Sequence, residues 1–229
     1  MVILTKKNIL FLVEGKTEGL STSWGKGLWN ILRVEQRWMR EKSILQKIEV
    51  FNGKYDMQDT MKFTVRQHLS PPKKIVSKSG NKPLGDYVFI LRDLDCEDKK
   101  EIEYTIDNEL SDYKGCYSVH FAVQEIEAWM IADQNCFKSF YKNKSAQIIS
   151  AIKKIPHSST PEEIDCEPKK ISELLEEIAY KYNSDYKKTK QGTQLLDLVN
   201  PDVVASKCPS FADFRNDLRA HIGLPSIIL

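Results

Sequence analysis

The chain has 229 residues, of which 41% are hydrophobic and 10% are aromatic, and its formal net charge is +2. This length and composition suit one large domain, or a domain with an extension, around a substantial hydrophobic core. No apolar run approaches the ~20 residues that a membrane span requires, and the first seven residues are too short and wrongly ordered for a signal peptide. We therefore expect a soluble cytoplasmic protein.

The charges are unevenly distributed along the chain. Residues 1–85 hold 16 Lys/Arg against 7 Asp/Glu, residues 86–135 hold 4 against 13, and residues 136–229 hold 14 against 12. An acid-rich middle between basic segments suits an acidic metal site beside a surface that attracts polyanions. The alternative is that each block of like charge is a solvated face.

The cysteines show no pairing pattern. There are five, 20 or more residues apart and without a CxxC pair: Cys96, Cys116, Cys136, Cys166 and Cys208. This spacing predicts neither a structural zinc site nor a disulfide framework.

The first predicted element is a buried strand over Asn8–Val13, whose length and apolar density are typical of a parallel strand covered on both faces. Gly15 gives the chain freedom to turn sharply after this strand. Ligands of open α/β sheets bind beyond the carboxyl ends of the strands, so Glu14 at this exit is a candidate functional residue. The alternative is a surface acid that opens a helix.

Helices and strands then alternate. Apolar spacing predicts a helix over 17–42 with a break near Gly25 or Gly27, a strand over 44–51 and a polar helix from about 56 to 69. Residues 70–85 contain three prolines and are predicted to form an exposed loop. Its lysines are candidates for contacts with a nucleic-acid backbone, although a solvated loop is the alternative: they are Lys73, Lys74, Lys78 and Lys82.

The next predicted strand, over 86–91, runs directly into the sequence RDLD. Residues i and i+2 of an extended segment project to the same side, so Asp93 and Asp95 can converge on one point. Two carboxylates so close are costly unless a cation or a basic group neutralises them, and hard oxygen ligands favour Mg²⁺ or Mn²⁺. The alternative is an acidic cluster at the start of a helix.

A helix over 99–113 and a fourth strand over 116–123 follow, and this strand also ends in acids, Glu125 and Glu127. One of the two can point toward the same edge of the sheet, and the other can lie in the first turn of the next helix. Three predicted strands therefore deliver carboxylates to one edge, which is more specific than an isolated DxD motif.

From residue 136 onward the pattern indicates helices, best over 146–155, 168–182 and 211–222. We therefore expect an α/β core over 1–135, with a mainly parallel sheet, and a helical extension over 136–229 packed on it. Between the second and third of these helices lies a basic segment, 186–192, with Lys187, Lys188 and Lys190. These lysines are candidates for contacts with phosphates, and a solvated turn is the alternative.

Several of these motifs together resemble a known family. VEGKTE at 13–18 and LRDLD at 91–95, each at a strand end, resemble the Toprim fold of topoisomerases, primases and overcoming-lysogenization-type nucleases. QEIEAWMIAD at 124–133, the basic segment 186–192 and KCPSFADF at 207–214 are similar to a Toprim-like family of bacterial proteins often linked with AAA ATPases and phage defence. The resemblance spans most of the chain and implies a Rossmann-like parallel sheet flanked by helices.

The resemblance also implies an activity. Glu14 corresponds to the Toprim glutamate, Asp93 and Asp95 to the metal-binding DxD pair, and Glu127 to a further acid. The implied function is a Mg²⁺- or Mn²⁺-dependent nuclease acting on DNA or RNA, as the effector of a phage-defence system regulated by a separate AAA- or ABC-type ATPase. Lys190 is a candidate for stabilising the transition state. The alternatives are a non-catalytic Toprim scaffold that binds an ATPase or nucleic acid, and another metal-dependent phosphotransfer.

Overall fold

A four-stranded parallel sheet lies at the centre of the described part of the chain. The computed structural model describes residues 7–15, 27–69 and 87–227. The strands are β1 (Asn8–Val13), β2 (Leu45–Val50), β3 (Tyr87–Asp93) and β4 (Tyr117–Ala122). Their order is β2-β1-β3-β4, and every neighbouring pair is parallel. The predicted α/β class with a parallel sheet is confirmed.

Helices connect and follow the strands. They are α1 (Leu28–Ile31), α2 (Arg33–Glu41), α3 (Lys54–Leu69), α4 (Lys99–Glu109), α5 (Glu127–Ala132), α6 (Gln134–Tyr141), α7 (Ser145–Ile152), α8 (Ile171–Lys181), α9 (Thr193–Leu198), α10 (Pro201–Ala205) and α11 (Pro209–Ile222). A single π-helical turn, Lys188–Gly192, precedes α9. No helix among the described residues is long and apolar enough to cross a membrane.

The sheet is covered on both faces, which explains why β1 is apolar at every position after Asn8. Leu10 and Leu12 pack with α3 and α4 in one hydrophobic cluster. Ile9, Phe11 and Val13 project to the other face, where they join a larger cluster with α1, α2 and the helices from α5 onward. One continuous hydrophobic core therefore joins the sheet to the C-terminal helices.

A buried ion network also ties α2 to α11. The guanidinium of Arg215 donates to Glu35 Oε1 at 2.8 Å and to Asp202 Oδ1 at 2.7 Å, and Arg219 donates to the same Glu35 oxygen at 2.7 Å. Arg215 and Glu35 are both fully buried. Both guanidinium groups thus contact the same oxygen of one buried carboxylate, and this contact links α2 to α11.

Some predicted bounds differ from the structure. The helix predicted over 17–42 begins at Leu28, directly after Gly27 at φ +54°, and is interrupted at Leu32; residues 17–26 lie outside the described ones. Strand β3 extends to Asp93, two residues beyond the predicted end. Helices α6, α9 and α10 were not predicted, because each has only five to eight residues, too few to show a clear period.

Candidate metal centre

The strand order places a topological switch point between β1 and β3. From β1 the chain continues to β2 on one side of the sheet, whereas β3 continues to β4 on the other. Open α/β sheets bind ligands in the crevice at this point, beyond the carboxyl ends of the strands. Glu14 follows β1 and Asp93 ends β3, so both lie at the switch point.

The backbone fixes both acids at this edge. The N–H of Glu14 donates to the carbonyl of Leu91 at 3.3 Å, and its carbonyl accepts from the N–H of Gly53 at 3.0 Å. Asp93 is buried, and its Oδ1 accepts a hydrogen bond from the N–H of Ile126 at 2.9 Å. The predicted convergence of Glu14 and Asp93 on one edge thus arises from adjacent strands in register.

Asp95 lies in a tight turn just past β3. Its φ is +52° and that of the next residue, Cys96, is +68°, a left-handed conformation that few residues other than glycine adopt. The Asp95 N–H donates to the carbonyl of Gln124 at 2.8 Å, so the turn lies beside the chain that leaves β4. Oxygen atoms of Asp93, Asp95 and Glu125 all lie within 4.8 Å of one another.

The sequence left open whether Glu125 or Glu127 points toward the edge of the sheet. In the structure both side chains are buried. Glu125 Oε2 accepts from the N–H of Ser172 at 2.8 Å, and its Oε1 accepts from the Ser172 hydroxyl at 2.9 Å. Glu127 is completely buried and accepts a 2.7 Å hydrogen bond from the hydroxyl of buried Tyr186. Glu125 is thus the acid grouped with the DxD pair, whereas Glu127 lies deeper.

Lys188 occupies the centre of this acidic cluster. Its Nζ lies 2.7 Å from Asp93 Oδ2, 3.0 Å from Glu125 Oε1 and 3.5 Å from Glu127 Oε2. The π-helical turn that begins at Lys188 points this side chain inward. A solvated turn over 186–192 is therefore wrong for Tyr186 and Lys188, which contact the acids, whereas contact of this segment with phosphates stays a prediction.

Two further cations border the cluster. Lys170 Nζ donates to Asp95 Oδ1 at 2.7 Å, and Arg92 Nε lies 3.5 Å from Glu14 Oε2. Burial by itself lowers the pKa of Lys170, but the hydrogen bond and charge of Asp95 raise it above its usual value. The carboxylates at this edge thus lie beside the cationic side chains of Lys188, Lys170 and Arg92.

Burial and like charge shift the titration of these acids. Burial, reinforced by Asp93, raises the pKa of Glu14 to about 7, with Arg92 opposing the shift. Burial also raises the pKa of Glu127 to about 7, although Lys188 favours its charged form. The pKa of Asp93 is raised by burial as well, against the charge and hydrogen bond of Lys188.

The donor set fits a hard divalent cation. It consists of carboxylate oxygens, the ligands that Mg²⁺ and Mn²⁺ prefer. Two oxygens that share an ion at about 2.1 Å lie up to about 4.2 Å apart, so the 4.8 Å grouping needs only a small contraction. Glu14 Oε2 and Glu127 Oε2 are buried and accept no hydrogen bond from the described residues, although each lies 3.5 Å from a cationic nitrogen. The grouped oxygens of Asp93, Asp95 and Glu125 therefore have the chemistry to hold a divalent ion.

A comparison with protein families assigns the chain to one of them. The sequence model of a domain of unknown function, DUF4276, matches residues 13–219. The chain belongs to the DUF4276 family. The match begins at the end of β1 and includes every residue of the acidic cluster. No curated protein and no solved structure matches the chain.

The other predicted site residues are exposed or lie outside the described residues. The lysines of the segment predicted as an exposed loop lie outside the described residues: Lys73, Lys74, Lys78 and Lys82. Lys187 is exposed and pairs with Glu176, and Lys190 is exposed on the π-helical turn. Lys170 and Ser172 could not be selected from the sequence, because neither belongs to a motif and both reach the site through tertiary packing.

The cysteine prediction needs correction. Cys96 and Cys166 form a disulfide that closes a sequence separation of 70 residues, with a Cα–Cα distance of 6.0 Å. Wide spacing in the sequence did not reveal the pair, because the turn after β3 and the segment before α8 meet only in the folded chain. Cys116, Cys136 and Cys208 are free thiols.

Proposed function

We propose that this protein is a divalent-metal-dependent nuclease that hydrolyses phosphodiester bonds in DNA or RNA. One observation carries the proposal: buried carboxylates from three strand exits converge at the switch point of a parallel sheet. Such a cluster is costly unless cations neutralise it, and sites of this kind suit reactions at phosphate groups, whose charge also needs neutralisation.

Asp93, Asp95 and Glu125 would hold Mg²⁺ or Mn²⁺, with Glu14 and Glu127 as neighbouring acids. When bound, such an ion neutralises phosphate charge and lowers the pKa of a coordinated water, so that a nucleophile is available at neutral pH. The ligand carboxylates are fixed before substrate arrives, since the Ile126 N–H holds Asp93 and Ser172 holds Glu125. This preorganisation lowers the cost of assembling the site.

The remaining side chains supply proton transfer and positive charge. Glu14 is the candidate general base, because its pKa of about 7 lets it accept a proton from water near neutral pH. Arg92 contacts Glu14 and orients it. Lys188 at the centre of the cluster and Lys170 at its border are candidate partners of a substrate phosphate, in addition to Lys190, whose role stays a prediction.

The motif resemblance supports a wider biological proposal. It favours a cytoplasmic effector in phage defence, controlled by a separate AAA- or ABC-type ATPase. The lysines of the 70–85 loop and Lys187 would contact the nucleic-acid backbone, and such binding should weaken steeply with salt.

The test is a cleavage assay on single-stranded and double-stranded DNA and on RNA, in Mg²⁺, Mn²⁺ or EDTA, with and without a candidate ATPase. Wild type should cleave at least one substrate only with metal. Asp93→Asn and Glu14→Gln should abolish cleavage, whereas Glu177→Gln, which changes an exposed acid of α8, should not. Activity in EDTA, or full activity of Asp93→Asn, would reject the proposal.

A second candidate function is a non-catalytic binding scaffold. The observation in its favour is Lys188, whose ammonium contacts three carboxylates and already neutralises part of the cluster. A scaffold of this kind would bind nucleic acid or an ATPase without cleaving any substrate under the conditions above. Retained nucleic-acid binding with no metal-dependent cleavage would therefore favour the scaffold.

A further inference from the structure

The Cys96–Cys166 disulfide lies directly beside the candidate metal centre. Cys96 immediately follows Asp95, one of the three grouped carboxylates. Cys166 precedes Lys170, whose ammonium contacts Asp95 at 2.7 Å. We infer that this disulfide is a redox latch that fixes the Asp95 turn against residues 165–172 and thereby controls the affinity of the metal centre. The inference rests on the metal site of the proposed function.

The left-handed backbone of the Asp95 turn is unfavourable by itself and must be stabilised by contacts with the rest of the protein. Both Asp95 and Cys96 have positive φ, at +52° and +68°, and a non-glycine residue held there costs on the order of 1 kcal/mol. Contacts with the rest of the protein must offset this cost. The disulfide is a covalent contact of the turn, whereas the Lys170 ion pair is partly exposed and weaker.

The segment that contains Cys166 also carries two groups that contact the acids. Lys170 binds Asp95, and Ser172 donates through its N–H and its hydroxyl to Glu125. Both follow Cys166 within six residues, so the disulfide anchors the segment that supports two of the three grouped carboxylates. Breaking the bond removes this anchor from both the Asp95 turn and the support of Glu125.

The bond is accessible to exchange because Cys96 is exposed. A reductant thiolate attacks the Cys96 sulfur, forms a mixed disulfide with it and releases the Cys166 thiolate, which takes up a proton. A second reductant thiolate attacks the reductant's sulfur in the mixed disulfide, so that the Cys96 thiolate leaves and is protonated. Two thiols thus become one small-molecule disulfide, and two electrons pass to the protein. Oxidation by a small-molecule disulfide is the reverse sequence.

Reduction should therefore weaken metal binding. The observed geometry, with three carboxylate oxygens grouped within 4.8 Å, belongs to the disulfide-bonded state. Groups that orient metal ligands typically change affinity by tenfold or more when they are removed. We expect the reduced protein to bind Mn²⁺ about tenfold more weakly than the oxidised protein.

The experiment compares the full chain after equilibration with oxidised or reduced glutathione. Thiol counting should find three free cysteines in the oxidised protein and five in the reduced protein. Hydrogen exchange read by mass spectrometry should be faster after reduction in peptides covering 93–98 and 165–172, and unchanged in α11. Mn²⁺ titration follows the affinity. Cys96→Ser and Cys166→Ser should behave as the reduced protein in either buffer, and the matched control Cys116→Ser should respond like wild type.

The possible results distinguish a failure of the disulfide proposal from a failure of the metal-site proposal. Five free thiols under oxidising conditions, or equal exchange in the two states, overturns the latch whether or not Mn²⁺ binds. Equal Mn²⁺ affinity in the two states also overturns it as a control of the site. Faster exchange after reduction without Mn²⁺ binding in either state supports the covalent hold on the turn and rejects the metal site itself. Wild-type protein alone yields these results, so a variant that fails to fold does not prevent the test.

Discussion

The ammonium of Lys188 lies 2.7 Å from Asp93 Oδ2, although the two residues are 95 positions apart in the chain. Asp93 is buried at the end of β3, and Lys188 begins a π-helical turn far along the sequence. Buried carboxylates require a cation, and a divalent ion and a lysine can both supply that charge. The stability of the protein and its metal affinity should therefore be linked through Lys188.

Replacement of Lys188 by Met should lower the free energy of unfolding of the metal-free protein by about 3 kcal/mol. The physical reason is that removal of one partner leaves buried carboxylates without their compensating charge. Saturating Mg²⁺ should recover part of this loss, because the ion binds only the folded cluster. Urea unfolding with and without Mg²⁺ measures both effects.

The matched control is Lys187→Met, which removes an exposed lysine paired with Glu176 at the surface. Its unfolding free energy should change by no more than about 0.5 kcal/mol, as is usual for surface substitutions. Equal losses for the two variants would contradict a special role of Lys188. A Lys188→Met variant without any rescue by Mg²⁺ would argue against the metal centre.

The stability of the metal-free protein should depend on pH through Glu14. Its pKa is raised from 4.5 to about 7 in the folded state, by burial first and then by Asp93 and Asp95, against Arg92 and Lys188. Between these pH values the folded state binds more protons than the unfolded state, so the free energy of unfolding falls as pH rises. Glu14 alone should account for a fall on the order of 3 kcal/mol between pH 4.5 and 8.

The Glu14→Gln variant tests the predicted fall in unfolding free energy with pH, because glutamine does not titrate. The variant should lose the part of the decline that Glu14 contributes and keep the part that Glu127 and Asp93 contribute, since their pKa values are also raised. It should be more stable than wild type at pH 8. Unfolding in urea at four or five pH values, in EDTA, measures the slope. A variant with the same slope as wild type would show that the pKa of Glu14 is not raised in the folded state.

The sequence was sufficient to predict the parallel sheet and three acids at its edge. The apolar run of β1 identifies a strand buried on both faces, and a parallel order brings strand ends to one edge. Glu14 and Asp93 could therefore be selected from their position after such runs. The two-residue period of an extended segment predicted that Asp95 lies beside Asp93. The two acids are indeed grouped, but Asp95 lies in a left-handed turn and not in an extended segment.

The rest of the site depends on contacts that no local pattern encodes. Ser172 reaches Glu125 across 47 positions, Lys170 reaches Asp95 across 75, and the disulfide spans 70. Basic residues in a polar segment are usually solvated, so composition gave no reason to point Lys188 inward. The choice between Glu125 and Glu127 depended on the direction of each side chain at the start of α5, which requires the packed structure.

The ion network between α2 and α11 should contribute strongly to the free energy of unfolding. Arg215→Met leaves the buried carboxylate of Glu35 with one guanidinium fewer, so the free energy of unfolding should fall by about 3 to 5 kcal/mol. Thermal or urea unfolding measures the loss. Glu177→Gln, at an exposed position of α8, is the control and should leave stability nearly unchanged. A loss for Arg215→Met below about 1 kcal/mol would contradict the burial of this network.

Substitutions should show that Glu125 is a metal ligand and that Glu127 is a buried neighbouring acid. Glu125 is grouped with Asp93 and Asp95, so Glu125→Gln should reduce Mn²⁺ affinity by at least tenfold, the cost that loss of a supporting partner alone can reach. Glu127 is fully buried with a pKa of about 7, and glutamine reproduces its neutral form. Glu127→Gln should therefore reduce Mn²⁺ affinity much less.

The two variants should also differ in stability at pH 8 without metal. Burial disfavours the charged form of Glu127, so Glu127→Gln removes a cost and should be at least as stable as wild type. Glu125 accepts two hydrogen bonds from Ser172, and Glu125→Gln weakens them and should not stabilise the protein. Mn²⁺ titration and urea unfolding of both variants, side by side, measure the contrast. If Glu127→Gln loses more Mn²⁺ affinity than Glu125→Gln, the deeper acid is the ligand, as the motif resemblance alone implies, and the grouping around Glu125 is not the metal-binding arrangement.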